Sequence, residues 1–235
     1  MCLYTFIDGQ RKKIEKISCA LPTAIKNIVR VHTFIGGERK MLFPDVGTEL
    51  YNQGVAGYYK LLLPAGNYKA VVAGSGGKNG IGGATDKTAG NGELVESEFS
   101  LDYETELEIW VAGKITGQSN WNGAFGAVNG ADGERKYNGS VLSASGGGGG
   151  GQSKVYNGGH GISIVANGGG GTFAYSGTSL DAKGGNGSGG ALGGQSRTSQ
   201  SGQDAGNGLG GKGGRYINGK STQPEDGWVK IYVQG

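Results

Sequence analysis

The sequence predicts a mainly β protein, with a small N-terminal β-hairpin module followed by a glycine-rich β-sandwich or jelly roll that carries a polyglycine-II helix bundle. Three observations predict it. Glycine supplies 53 of the 235 residues, about three times the usual share of roughly 7%. Short β-branched and aromatic runs recur between turn signals, and no stretch keeps the apolar period of a capped helix. Asn-Gly pairs then punctuate the second half, at Asn122, Asn129, Asn138, Asn157, Asn167, Asn186, Asn207 and Asn218.

The N-terminal module, residues 1–45, has an ordinary composition. Ile25 to Phe34 is β-branched and partly alternating, Gly36-Gly37 follows, and Glu38 to Phe43 completes a hairpin. Arg11-Lys12-Lys13 reads as a solvated edge. Residues 46–57 read as a linker, and residues 58–235 as the glycine-rich binding domain. In that domain Tyr58 to Leu63 is a strand closed by the turn signal Pro64-Ala65-Gly66. Tyr68 to Ala73, Glu93 to Leu101 and Leu107 to Ala112 are further strands, the last two separated by a polar turn at Asp102 to Glu106. Trp228 to Val233 closes the chain as a strand. Alternation places Val229, Ile231 and Val233 on its core face, against the sheet that holds Tyr68 to Ala73.

Between these strands lies the glycine tract. Glycine fills 30 of the 81 residues from 139 to 219, with an unbroken run from Gly146 to Gly151. Collagen is excluded, because Gly-X-Y is not kept and proline is nearly absent. Asn-Gly favours turns with positive φ, so the chain is expected to reverse about every ten residues or a multiple of that. Between reversals, an extended helix of three residues per turn brings bare backbones close enough for N–H to meet C=O. That pairing offsets the entropy glycine loses on ordering. The tract is therefore expected to be ordered and nearly free of regular strands. A flexible linker is disfavoured by spaced apolar residues such as Val155, Ile164 and Phe173.

Charge and motifs exclude several function classes. The chain has 22 basic and 19 acidic residues, a net charge of +3. That balance predicts no nucleic-acid partner and no anionic membrane surface. No apolar run reaches about 18 residues, so no membrane insertion is expected. The amino terminus lacks a signal-peptide pattern, which implies synthesis in a cytoplasm. Cys2 and Cys19 fit free thiols in a reducing compartment better than a disulfide scaffold, with a bridge between them left open. Gly214 to Ser221 matches G-x-x-x-x-G-K-[ST], and Gly185 to Gly190 matches G-x-G-x-x-G. Neither has the strand-then-helix setting that phosphate binding needs. His32 and His160 lack metal-ligand spacing with the cysteines. Glu96, Glu98, Glu104, Glu106 and Glu108 alternate along strands and read as a solvated face. No catalytic, cofactor or metal residue is assigned, and the chain is expected not to be an enzyme. An ice-binding bundle would need regularly spaced threonines, which the tract lacks.

Three pieces carry a family resemblance: Leu61 to Gly77 (LLLPAGNYKAVVAGSGG), Gly113 to Gln118 with the glycine tract after it, and Glu225 to Val233 (EDGWVKIYV). Together they resemble glycine-rich phage tail-fibre and receptor-binding proteins over about residues 58 to 235. They are also similar to the glycine-rich domain of certain animal receptor tyrosine kinases, which joins a jelly roll to polyglycine helices. Ile25 to Pro44 looks like the short modules of phage minor structural proteins.

The resemblance implies a virion protein made in the host bacterial cytoplasm, a tail-fibre or tail-tip adhesin. Residues 1–45 would join other virion proteins, and the distal part would bind a host surface protein or glycan. A trimer is compatible with this. The alternative is a purely structural virion component, a head fibre or decoration protein. No motif residue carries over to the host contact. Loops on a rigid scaffold and aromatic side chains favour recognition. Trp121 beside Asn122-Gly123, and Phe173 and Tyr175 after Gly168 to Gly171, are therefore the host-contact candidates.

Overall fold

A computed structural model describes residues 46–82, 86–114, 121–218 and 220–234 in full; the strands at 4–7, 10–13, 31–35 and 38–42 are described by their backbone alone. The first strands form two antiparallel hairpins: β1 (Tyr4–Ile7) with β2 (Gln10–Lys13), and β3 (Val31–Ile35) with β4 (Glu38–Leu42). The second is the hairpin expected around Gly36-Gly37, with Ile35 facing Glu38. The first was not read from sequence. The expectation for residues 25–30, and the state of Cys2 and Cys19, lie outside the described residues.

Next come β5 (Glu49–Gln53), β6 (Gly57–Leu63), β7 (Gly66–Ala73), the short β8 (Lys87–Thr88), β9 (Leu94–Leu101) and β10 (Thr105–Val111). The tract then holds β11 (Arg135–Asn138), β12 (Val141–Ser145), β13 (Ser153–Asn157), β14 (Ile162–Ala166), β15 (Ala174–Ser176), β16 (Leu180–Ala182), β17 (Arg215–Ile217) and β18 (Lys220–Thr222). β19 (Trp228–Gln234) follows.

Two four-stranded antiparallel sheets build the core, in the orders β14-β13-β10-β6 and β5-β19-β7-β9. Pro64-Ala65 is a corner rather than a hairpin, because β6 and β7 belong to different sheets. One apolar cluster is shared between them. Leu63, Leu107, Ile109, Val111, Val155 and Ile164 come from one sheet; Tyr68, Val72, Leu101, Val229 and Ile231 come from the other. Alternation explains this burial: every second residue of β10 and β19 is buried. β19 is central, pairing β7 with Val229 opposite Val72 and pairing β5 with Ile231 opposite Tyr51. The expected inward set, Val229, Ile231 and Val233, is buried.

Two expectations are corrected. Residues 46–57 are not a plain linker, since they carry β5, the edge strand held against β19. The glycine tract is not nearly strand-free either. Its extended segments are interrupted by the hairpins β11–β12, β13–β14, β15–β16 and β17–β18.

The extended segments pair through their backbones. Residues 167–173 run through the middle of this arrangement. The N–H groups of Gly169 and Thr172 donate to Ser75 and Lys78; those of Gly170 and Phe173 donate to Gln203 and Gln200; that of Gly171 donates to Gly185. The carbonyls accept in turn from Gly147 and Gly150, from Gly90 and Glu93, and from Gly194. The same neighbour recurs at every third residue. In the run from Gly146, Gly146 and Gly149 donate to one segment (Glu134, Ala131), and Gly147 and Gly150 to another (Thr172, Gly169). Glycine is required by this closeness. A Cβ on Gly169 would fall 2.1 Å from the Gly90 carbonyl oxygen, and one on Gly171 would fall 1.9 Å from that of Gly147. These peptide groups are buried away from water, and the mutual pairing satisfies them.

Asn-Gly pairs act in two ways. Asn138-Gly139 turns the chain inside the β11–β12 hairpin, with Gly139 at φ 61°, and Asn218, at φ 51°, follows the first strand of the β17–β18 hairpin. Asn167 and Asn186 instead lie in extended segments, where their side chains bridge neighbours: Asn167 Oδ1 accepts from Gln152, and Asn186 Oδ1 accepts from the Gly193 N–H.

Candidate functional site

The hairpins β11–β12 and β15–β16 leave the glycine layer side by side, with β11 beside β16. Their tips, at Gly139-Ser140 and Gly177 to Ser179, are exposed. Each hairpin starts from an anchored segment. The Glu134 N–H donates to the Lys183 carbonyl, and Gly146 returns a bond to the Glu134 carbonyl. Loops held this way at both ends lose little entropy when they bind a partner.

Two aromatic–arginine pairs sit on this region. The Arg135 guanidinium lies 5.5 Å from the Trp121 ring centre, and the Arg197 guanidinium lies 4.7 Å from that of Tyr175. Arg197 is oriented by Asp181, whose carboxylate accepts from Nε at 2.8 Å. Asp181 faces Tyr175 across the β15–β16 ladder. A carboxylate, a guanidinium and a phenol are thereby held in one row. Trp121 is fixed through its carbonyl, which accepts from the Gly133 N–H.

The three sequence candidates part company here. Trp121 and Tyr175 are partly exposed, each beside an arginine. Phe173 is 1% exposed, so it is corrected from a contact to a core filler. Its N–H donates to the Gln200 carbonyl and its own carbonyl accepts from Lys87 Nζ, which pins the backbone with the ring inward. Arg135, Arg197 and the half-exposed Tyr137 belong to the region and were not singled out from sequence. Arg135 and Tyr137 immediately precede Asn138-Gly139, a signal that was available. Arg197 had none, since its partner Asp181 is brought to it by the fold.

Gly214 to Ser221 contains the β17–β18 hairpin, not a loop opening a helix. Among the described residues the only helical turn is the 3-10 turn Gly158–His160. Glu96 and Glu106 are exposed and paired with Lys69 and Lys60. His160 Nε2 is hydrogen-bonded to the Thr105 hydroxyl at 2.8 Å, and its ring packs on Tyr103. Among the described residues no group of three His, Cys, Asp or Glu side chains could hold a metal ion. Among them, too, no helix is long and apolar enough to cross a membrane. The sequence matches no protein-family model and no curated protein.

Proposed function

We propose that this chain is a bacteriophage virion protein, a tail-fibre or tail-tip adhesin that binds the host cell surface. One observation carries the reading: two aromatic–arginine pairs each join one residue of a short hairpin, Arg135 of β11 or Tyr175 of β15, to a loop residue, Trp121 or Arg197, and both hairpins spring from a layer of interlocked backbone. Trp, Tyr and Arg are the residues that dominate binding energy at protein interfaces. A rigid support lets them bind without first being ordered.

The finer fold reading supports this role. The two sheets sharing one apolar cluster are read as a β-sandwich of the jelly-roll kind. The segments whose partners recur every third residue are read as polyglycine-II helices. In this reading residues 1–45 attach the protein to the particle, the distal hairpins meet a host surface protein or glycan, and no catalysis takes place.

Adsorption tests it. Purified protein should compete with the phage for host cells. Trp121→Ala and Tyr175→Ala should each weaken that competition about tenfold or more, with an unchanged melting temperature. Competition that fails, together with normal incorporation into particles, would instead assign a purely structural role such as a head fibre or decoration protein.

A further inference from the structure

A second location carries unusual chemistry away from the hairpin pairs. A cleft of about 270 Å³ opens between the segment from Lys78 to Gly82 and the three-stranded sheet β18-β17-β8. Lys87 faces Tyr216, and Tyr216 faces Ser221, across adjacent strands. Residues directly opposite in antiparallel strands present their side chains on the same face. One row of the sheet thus supplies a cation, a phenol ring and a hydroxyl, all lining the cleft.

The opposite wall supplies Lys78 and Asn79. Their backbone is locked into the glycine layer: the Lys78 N–H donates to Gly148, and its carbonyl accepts from Thr172. Both lysines are 3% exposed, and among the described residues lining the cleft there is no carboxylate. Burial lowers the pKa of Lys78 and brings that of Lys87 down to about 8. Lys87 Nζ already donates to the carbonyls of Gly82 and Phe173. Those neutral acceptors orient the ammonium without neutralising it. Asn79 is 5% exposed, yet neither its Oδ1 nor its Nδ2 has a partner among the described residues. Buried amides are nearly always satisfied, so both atoms point to a missing partner.

We propose that this cleft binds an acidic sugar residue, with its carboxylate or phosphate held by Lys87 and its hydroxyls by Asn79. A simple carboxylate or sulfate offers acceptors only and would leave Asn79 Oδ1 unmatched. A sugar acid or sugar phosphate brings hydroxyl donors as well. Tyr216 offers a ring beside it, and Ser221 and Thr222 offer further hydroxyls. The volume of about 270 Å³ falls just below the usual range of ligand sites, roughly 300–1,000 Å³, which suits a ligand no larger than one monosaccharide. The origin of that sugar in a host surface glycan rests on the proposed adhesin role; the site itself does not.

Calorimetry on the full chain with glucuronate, glucose 6-phosphate and glucose tests the site. At least one acidic sugar should bind saturably and at least tenfold more tightly than glucose, and which one does so identifies the anion. Lys87→Met and Tyr216→Ala should each weaken it tenfold or more. Tyr216 is partly exposed on a short outer hairpin, so its variant stays informative if loss of Lys87 prevents folding. A melting temperature raised by the acidic sugar alone, in the unmodified protein, should agree. Equal binding of all three sugars, binding of none, or full affinity in both variants would overturn the site and leave Asn79 satisfied by water. Acidic-sugar binding with unaltered adsorption of virions carrying Tyr216→Ala would keep the site and discard the host glycan as its source.

Discussion

At Gly147 a single added methyl group would sit 1.7 Å from the carbonyl oxygen of Lys78. No rotamer relieves such an overlap, because both sides are backbone. Gly147→Ala is therefore expected to cost more than about 4 kcal/mol, read as lost soluble expression or a collapsed urea midpoint. Gly177 is the control. Its φ is +61°, and a Cβ there would meet nothing within 4 Å. Gly177→Ala should cost only the left-handed backbone penalty, about 1–2 kcal/mol. A second residue-scale outcome concerns Lys87. It titrates near pH 10.4 when unfolded and near 8 when folded. Below pH 8 both states hold the proton, and the burial penalty is fully present. Between those values the unfolded chain holds more protons, so stability should rise as pH climbs from about 8 to about 10. Tyr51 acts the other way above pH 10, since burial chiefly, with Tyr59, raises its pKa to about 12. Urea unfolding across pH 7–10 should show the rising limb in the parent, and Lys87→Met should flatten it.

Among the elements, β19 holds one sheet together, because it alone pairs with both β5 and β7. Ile231 is fully buried there, so Ile231→Ala should cost about 2–5 kcal/mol by thermal or urea melting. Deleting residues 226–235 should abolish the cooperative transition. β19 was legible in the sequence for the same reason it matters: its alternation of Val229, Ile231 and Val233 is a local pattern with one solution. β6, β7, β9 and β10 were legible likewise. β5 was not, because Glu-Leu-Tyr-Asn-Gln is largely polar and owes its strand state to β19. The hairpins within the tract were half legible. Asn138-Gly139 announced a turn, whereas the same dipeptide at Asn167 and Asn186 runs straight, since neighbouring segments claim its backbone and side chain. Phe173 shows the same limit. Its neighbours in sequence are small, and only the assembled layers show that its ring is enclosed. The cleft of Lys78, Asn79 and Lys87 was invisible for a related reason, as its sheet wall joins residues more than 120 positions apart in the chain, Lys87 and Tyr216.

For the whole molecule, the division of labour makes a prediction about assembly. Residues 1–45 contain self-paired hairpins, β1–β2 and β3–β4. Removing them should leave a folded glycine-rich remainder; under the proposed adhesin role, that remainder should also be missing from virions, measured by the protein content of purified particles. The two remaining parts are held by different forces. The sheets bury aliphatic and aromatic side chains, while the glycine layer is held by peptide groups bonded to peptide groups. Unfolding the first exposes apolar surface and raises the heat capacity; exposing bare peptide lowers it. The heat-capacity increment of this protein should therefore fall below the usual value of about 12–15 cal/mol/K per residue. A shallow increment means a broad, flat stability curve. The interlocked layer would then keep this protein folded in the cold as well, where apolar cores lose their grip.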